Sequence, residues 1–153
     1  MNTNERQINT NPKRVDLLHK DLCYKIQGCF YNVANKYGKG LKEIIYQKAL
    51  EEEFVLKDLK FEAQKRINIY SVESSKVLGT YVPDELVENL VIIEIKSSIF
   101  TVERDLQQQL SYLKGSKYEI GYLVNFSTPQ LYIKRSIYTN NRKPFINKLS
   151  VQN

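Results

Sequence analysis

Three charged residues near the middle of the chain have types and spacing suited to chemistry on a phosphodiester. Asp84 precedes Glu94 by ten residues, and Lys96 follows two residues later, at the end of an otherwise apolar run. Carboxylate oxygens suit Mg²⁺ or Mn²⁺, and such an ion polarises a phosphoryl oxygen and lowers the pKa of a bound water. A nearby lysine can orient that water or stabilise the charge that develops on phosphorus. The pattern therefore indicates metal-dependent phosphodiester hydrolysis.

Strand geometry decides whether the two acids can meet. Successive side chains of a strand alternate between its faces, so Glu94 and Lys96 share one face. A two-residue loop after Val87 would put Asp84 and Glu94 on opposite faces of the sheet. A three-residue loop, 88–90, would instead set Asp84 directly opposite Glu94. A metal site therefore predicts an odd-residue loop. The alternative is that Asp84 ends a turn and that Glu94 and Lys96 form a surface pair.

The hydrophobic pattern predicts the elements that must position these residues. Helices are predicted at residues 15–37, 41–57 and 101–114. Strands are predicted at residues 61–70, 77–87, 90–96, 118–126 and 131–138. The apolar face of the second helix is assigned to Leu41, Ile44, Ile45, Ala49 and Leu56. The order α-α-β-β-β-α-β-β predicts an α/β fold in which a mixed sheet is flanked by helices.

Composition sets the broad class of protein. The chain has 153 residues, of which 42% are apolar and 26% charged, as in one globular domain. It contains no apolar run long enough to span a membrane and no secretory signal, so a cytoplasmic location is expected. We expect residues 1–14 to be disordered, 15–138 to form one domain and 139–153 to form a basic tail. Cys23 and Cys29 are expected to be free core thiols.

The formal charge of +6 is concentrated towards the C-terminal end. Residues 128–153 include five basic residues and no acid. Such an excess suits a polyanion partner, although many basic tails only aid solubility. The candidate nucleic-acid contacts are Lys134, Arg135, Arg142 and Lys143.

Two further stretches give a family resemblance. The stretch "YGKGLKEIIYQKAL" places Glu43 and Tyr46 in the pattern G-x-x-E-x-x-Y, and "DLQQQLSYLKGSKYEIGYLVNF" contains Gln108 and Tyr112. Together with D-x9-E-x-K, these motifs resemble the small bacterial GxxExxY proteins, which are placed in the PD-(D/E)XK nuclease superfamily. The resemblance covers about residues 16–126. By this resemblance, Tyr46 and Tyr112 match family positions that have a structural or substrate-facing role.

The resemblance implies a restriction-endonuclease-like core and a role for each matched residue. Glu43, Asp84 and Glu94 would hold Mg²⁺ or Mn²⁺, and the last two would also take part in catalysis. Lys96 would be the catalytic lysine. Gln108 would border the site and orient the attacking water or the phosphate.

The function expected from the motifs is a Mg²⁺-dependent nuclease, with DNA a more favoured substrate than RNA. A homodimer is compatible with the sequence. The alternative is a catalytically inactive module with a nuclease fold, which binds nucleic acid or another protein.

Overall fold

The computed structural model describes residues 18–152. The segment 1–14 and the first three residues of the predicted helix at 15–37 lie outside the described part. The helices are α1 (Lys20–Tyr37), α2 (Glu43–Leu56), α3 (Glu103–Gly115) and α4 (Ile146–Gln152), with a 3-10 turn at Asn140–Arg142. The strands are β1 (Phe61–Ala63), β2 (Ile67–Tyr70), β3 (Val77–Tyr81), β4 (Glu85–Val87), β5 (Val91–Lys96), β6 (Ile120–Asn125) and β7 (Tyr132–Ile137).

A five-stranded mixed sheet forms the centre of the domain. Its strand order is β1-β4-β5-β6-β7, while β2 and β3 form a separate two-stranded sheet. Strands β5 and β6 are parallel, and the other neighbours are antiparallel. The main core packs α1 and α2 on one face, and a smaller cluster packs α3 and β2 on the other. The expected α/β class, a mixed sheet flanked by helices, is confirmed.

Two predicted strands are each divided in the structure. The predicted strand 61–70 becomes β1 and β2, and 77–87 becomes β3 and β4. The two breaks lie next to each other in the structure. At the first, Gln64 has a φ of 55°, and its N–H donates to the carbonyl of Asp84, at the second break, at 3.2 Å. Pro83 has no N–H for a strand ladder, which favours a break at this point. As a result five strands, and not three, precede α3, and Asp84 lies at a bend beside β5.

The apolar face predicted for α2 is largely wrong. Ile44 and Leu56 are 54% and 72% exposed. The buried face consists of Tyr46, Gln47, Ala49, Leu50, Glu53 and Phe54. Two polar residues can lie on it because they are hydrogen-bonded: Gln47 Nε2 donates to the carbonyl of Asp84 at 2.9 Å, and Glu53 pairs with Lys36 at 2.5 Å.

The absence of a side chain at Gly121 lets α3 approach the sheet closely. A Cβ at this position would lie 2.9 Å from Cδ of Gln109. The amide of Gln109 donates to the carbonyl of Tyr122 at 2.7 Å, and its side chain is buried. This bond holds α3 against β6, so that the neighbouring residue Gln108 borders the face of the sheet on which Glu94 lies.

Three other expectations concern residues outside the central strands. Cys23 and Cys29 are buried and free, as predicted. Within residues 18–152, no helix combines the length and the apolar character needed to cross a bilayer. The described part of the predicted tail packs against the domain, because Phe145 is fully buried and stacks on Tyr70 at 5.4 Å between ring centroids.

Candidate active site

The hairpin between β4 and β5 has the three-residue loop that a carboxylate pair requires. Val87 pairs with Val91, and two residues of the loop between them adopt left-handed φ values of 52°. Beyond the paired residues of β4, the carboxylate of Asp84 accepts a hydrogen bond from the N–H of Ile95 at 2.7 Å. Asp84 therefore lies against β5 beside Glu94, and the predicted odd-residue loop is confirmed.

Burial and like charge both act on this pair of acids. Burial first, and then the charge of Asp84, raise the pKa of Glu94 to about 7. A hydrogen bond donated by Tyr81 and the charge of Lys96 oppose the rise. The pKa of Asp84 is also raised by burial, against the hydrogen bond from Ile95 and the charge of Lys96. Two desolvated carboxylates so close together favour a cation between them.

Lys96 faces a small cavity on the α3 side of the sheet. Its Nζ is 3.9 Å from Oδ2 of Asp105, so the predicted alternative of a surface pair between Glu94 and Lys96 does not describe this site. The cavity has a volume of about 90 Å³. It is lined by Tyr81, Val82, Glu94, Lys96, Asp105, Gln108, Gln109, Tyr112 and Leu123. The structure thus brings Gln108 to the same cavity as Glu94 and Lys96.

The sequence reasoning missed two residues of this cavity. Tyr81 donates its hydroxyl hydrogen bond to Glu94 and stacks on Tyr112, with ring centroids 3.9 Å apart. Burial and the charge of Glu94 raise the pKa of Tyr81, so its hydroxyl keeps its proton. Asp105 is the ion-pair partner of Lys96. Tyr81 lies three residues before Asp84, at the end of a strand, and this position in the sequence could have indicated that it lies near the acids.

Glu43 does not join the two acids as a third close ligand. It is the first residue of α2, is exposed, and borders an open groove with Ser97 and Ile99. Its charge nevertheless contributes to the raised pKa of Glu94. Across residues 18–152, no group of three or more His, Cys, Asp or Glu side chains is placed to hold a metal ion. Tyr46, one of the two tyrosines at family positions, is buried and donates to the carbonyl of Gly38 at 2.6 Å. This contact gives it a structural role.

Two of the predicted nucleic-acid contacts lie on opposite faces of β7. Glu94 pairs with Leu123 on β6, and Leu123 pairs with Lys134 on β7. Paired residues of neighbouring strands project to the same face, so Lys134 shares the face of Glu94 and is exposed. Arg135 follows directly and projects to the other face, where it pairs with Tyr122.

The other two basic residues have different surroundings. The guanidinium of Arg142 lies 4.0 Å from the centroid of the Tyr138 ring and is exposed. Lys143 is 4% exposed, and its ammonium donates to the carbonyls of Ser116 and Tyr118 at 2.9 and 2.7 Å. Burial lowers the pKa of Lys143 to about 8. Lys143 therefore anchors its segment to the domain, and its prediction as a nucleic-acid contact does not fit this burial.

Comparison with known protein families gives one match. The sequence model of the PD-(D/E)XK nuclease superfamily matches residues 20–136. This span includes the cavity and the acids beside it. No curated protein and no solved structure matches the chain.

Proposed function

This chain belongs to the PD-(D/E)XK nuclease superfamily, and we propose that it hydrolyses phosphodiester bonds of nucleic acid with the help of a divalent metal ion. The observation that carries the proposal is the position of Asp84 against β5, next to Glu94 and to the cavity of Lys96. The narrower assignment to the GxxExxY proteins stays a prediction from the motifs.

The acids of this site suit a hard divalent ion such as Mg²⁺ or Mn²⁺. Asp84 and Glu94 offer carboxylate oxygens whose mutual repulsion a cation would relieve. Mg²⁺ is usually held by one or two carboxylates, with waters and substrate phosphates completing its shell, so two close acids are enough. When bound, the ion polarises a phosphoryl oxygen and lowers the pKa of water. Glu43 is proposed as a further contributor from the groove, through its negative charge.

The protein side chains around this pair have distinct proposed roles. Lys96 stabilises the charge that develops on phosphorus or orients the attacking water. Asp105 positions the lysine, since the two side chains form an ion pair at 3.9 Å. Tyr81 fixes the orientation of Glu94 by its hydrogen bond. Gln108 orients the water or the phosphate from the opposite wall of the cavity.

The proposed substrate is nucleic acid, with DNA favoured over RNA. The net charge of +6 attracts a polyanion. Lys134 and Arg142 are exposed and available for phosphate contacts. A cytoplasmic location and a homodimer stay predictions from the sequence.

The test is cleavage of labelled single- and double-stranded DNA with Mg²⁺ or Mn²⁺. We expect cleavage by the wild-type protein, none in EDTA, and a severe loss in Lys96→Ala. Lys76→Ala is the matched control, because Lys76 is an exposed lysine that is not part of the cavity lining. Metal and DNA binding without any cleavage would contradict the proposal and favour an inactive nucleic-acid-binding module.

A further inference from the structure

We propose that the substrate is unpaired next to the scissile phosphate, and that Phe100 and Ile99 stack on a base of this unpaired strand. The inference rests on the nuclease function proposed above and specifies its substrate. The two side chains belong to the loop 97–102, which joins β5 to α3.

Two adjacent large apolar side chains are left in water at this loop. Ile99 is 76% exposed and Phe100 is 71% exposed. A single exposed apolar residue is ordinary, but a contiguous exposed pair beside a cleft is typical of a binding surface. Ile44, at the start of α2, is a further exposed apolar residue and directly follows Glu43, which lines the groove beside this loop.

The loop is anchored at both sides of the exposed pair. The N–H of Ser98 donates to Oδ1 of the buried Asn125 at 3.2 Å, and Nδ2 of Asn125 donates to Oγ1 of Thr101 at 3.4 Å. The hydroxyl of Ser97 donates to the carbonyl of Leu41 and lies 2.7 Å from the hydroxyl of Ser127. The residues on both sides of Ile99 and Phe100 are thus held by hydrogen bonds before any ligand binds, which lowers the entropic cost of binding.

The exposed pair lies beside the proposed reaction centre. An open groove of about 490 Å³ separates the start of α2, including Glu43, from Ser97 and Ile99. Ser97, which lines this groove, directly follows Lys96, the last residue of β5. Phe100 is four residues after Lys96, so their Cα atoms are at most about 14 Å apart. A nucleotide next to a phosphate held at Lys96 is therefore within reach of this loop.

The chemistry of the groove fits a nucleobase. A base has an apolar face and a polar edge, and the groove offers Ile99 next to the hydroxyls of Ser97 and Ser98. Lys42 lies in the same groove and suits the phosphate backbone. Stacking on an aromatic side chain needs a free base face, which a strand inside a duplex does not offer. These features favour an unpaired strand over a duplex.

The test uses a single-stranded oligonucleotide that carries 2-aminopurine, and a blunt duplex of the same sequence, both in EDTA so that no cleavage is needed. We expect the single strand to bind at least about tenfold more tightly and its fluorescence to be quenched by stacking. Phe100→Ala should weaken single-strand binding roughly 5- to 100-fold. Leu56→Ala is the matched control, because Leu56 is 72% exposed but lies at the far end of α2, about 20 Å from Glu43.

The inference is overturned if the duplex binds as tightly as the single strand, or if Phe100→Ala binds and quenches like the wild type. It is also overturned if Phe100→Ala abolishes self-association seen by sedimentation and leaves oligonucleotide binding unchanged, since the loop would then contact a second copy. The two proposals fail separately. If binding depends on Phe100 but no cleavage occurs in Mn²⁺, only the proposed nuclease activity is contradicted. If duplex DNA is cleaved equally by the wild type and Phe100→Ala, only the proposal of an unpaired substrate is contradicted.

Discussion

Two pairs of acids lie on opposite faces of the sheet near the start of β4, and they have opposite surroundings. On one face, Glu94 lines the cavity of Lys96, and the carboxylate of Asp84 lies beside it against β5. On the other face, the next residue, Glu85, is fully buried and hydrogen-bonds with Glu51 of α2. The first pair is open to a ligand and lies near Lys96. In the second, here called the sealed pair, Glu85 lies beneath α2, and Glu51 is partly buried and forms an ion pair with Lys48 at 3.4 Å.

The pKa values follow from this difference. Burial first, and then the hydrogen bond with Glu51, raise the pKa of Glu85 to about 9, so the sealed pair retains a proton at neutral pH. The pKa of Glu94 is raised only to about 7, because Tyr81 and Lys96 favour its ionised form. Similar residues therefore become a stable buried contact or a proposed metal site according to their access to a ligand.

Substitution of Lys96 should have the largest effect on cleavage. Without its ammonium group, the charge that develops on phosphorus would lose its partner. We expect Lys96→Ala to reduce the single-turnover rate of cleavage roughly 10²- to 10³-fold. A rate within about twofold of the wild type would show that Lys96 has no part in the reaction.

The pH dependence of cleavage should report the open pair. Glu94 with a pKa of about 7 is protonated below that pH, and a neutral carboxyl is a poor ligand for a cation. At limiting metal we expect kcat/KM to rise with pH, by about tenfold per unit below pH 7, and then to level off. Higher metal concentration should move the midpoint to lower pH, because the metal stabilises the ionised acid. A flat profile from pH 5 to 8 would contradict this account.

The sealed pair should affect stability and not cleavage. Because the folded state raises the pKa of Glu85 from 4.5 to about 9, it keeps a proton that the unfolded chain loses in that window. The free energy of unfolding therefore falls as pH rises from about 4.5 to 9. Glu85→Gln is neutral and of similar shape, so it should remove this fall and stabilise the protein by roughly 1–3 kcal/mol at pH 8. Urea unfolding at pH 6 and pH 8 tests this, and an unchanged pH slope would refute it.

Lys134 and Arg135, two neighbouring residues of β7, allow the contributions of the two faces of the sheet to nucleic-acid binding to be compared. Lys134 lies on the face of the open pair and Arg135 on the other. We expect Lys134→Ala to weaken oligonucleotide binding a few-fold and to reduce the slope of log K against log salt by about 1. Arg135→Ala should change neither quantity. Equal effects of the two substitutions would mean that the open face does not guide the nucleic acid.

The fold class and the acid pair could be predicted because each depends on local pattern. Side chains alternate between the two faces of β5, so Glu94 and Lys96 were expected on the same face. Because Asp84 must lie opposite Glu94 to share a metal ion, the loop between β4 and β5 was expected to have three residues. The division of the long strands was not predicted. It depends on the left-handed Gln64 donating to the carbonyl of Asp84 at the bend, and these two residues are far apart in sequence.

The parts that could not be predicted depend on hydrogen bonds between distant residues. Periodicity treats Gln47 as a surface residue, yet it is buried because its amide reaches Asp84 and Glu85. The roles of Tyr81 and Asp105 likewise arise only when β3 and α3 come together over β5. Lys143 can be buried because its ammonium donates to two backbone carbonyls, and these contacts cannot be predicted from the composition of the segment.

The assignment of Asp84 and Glu94 as the reaction centre is tested by comparing Glu94→Gln with Glu85→Gln in one cleavage assay with Mn²⁺. The two substitutions are chemically identical and alter neighbouring strands on opposite faces. We expect Glu94→Gln to lose at least about 100-fold in rate, the scale of one lost transition-state contact, and Glu85→Gln to cleave like the wild type. Equal rates for the two variants, or a greater loss in Glu85→Gln, would contradict the assignment of the open pair as the reaction centre.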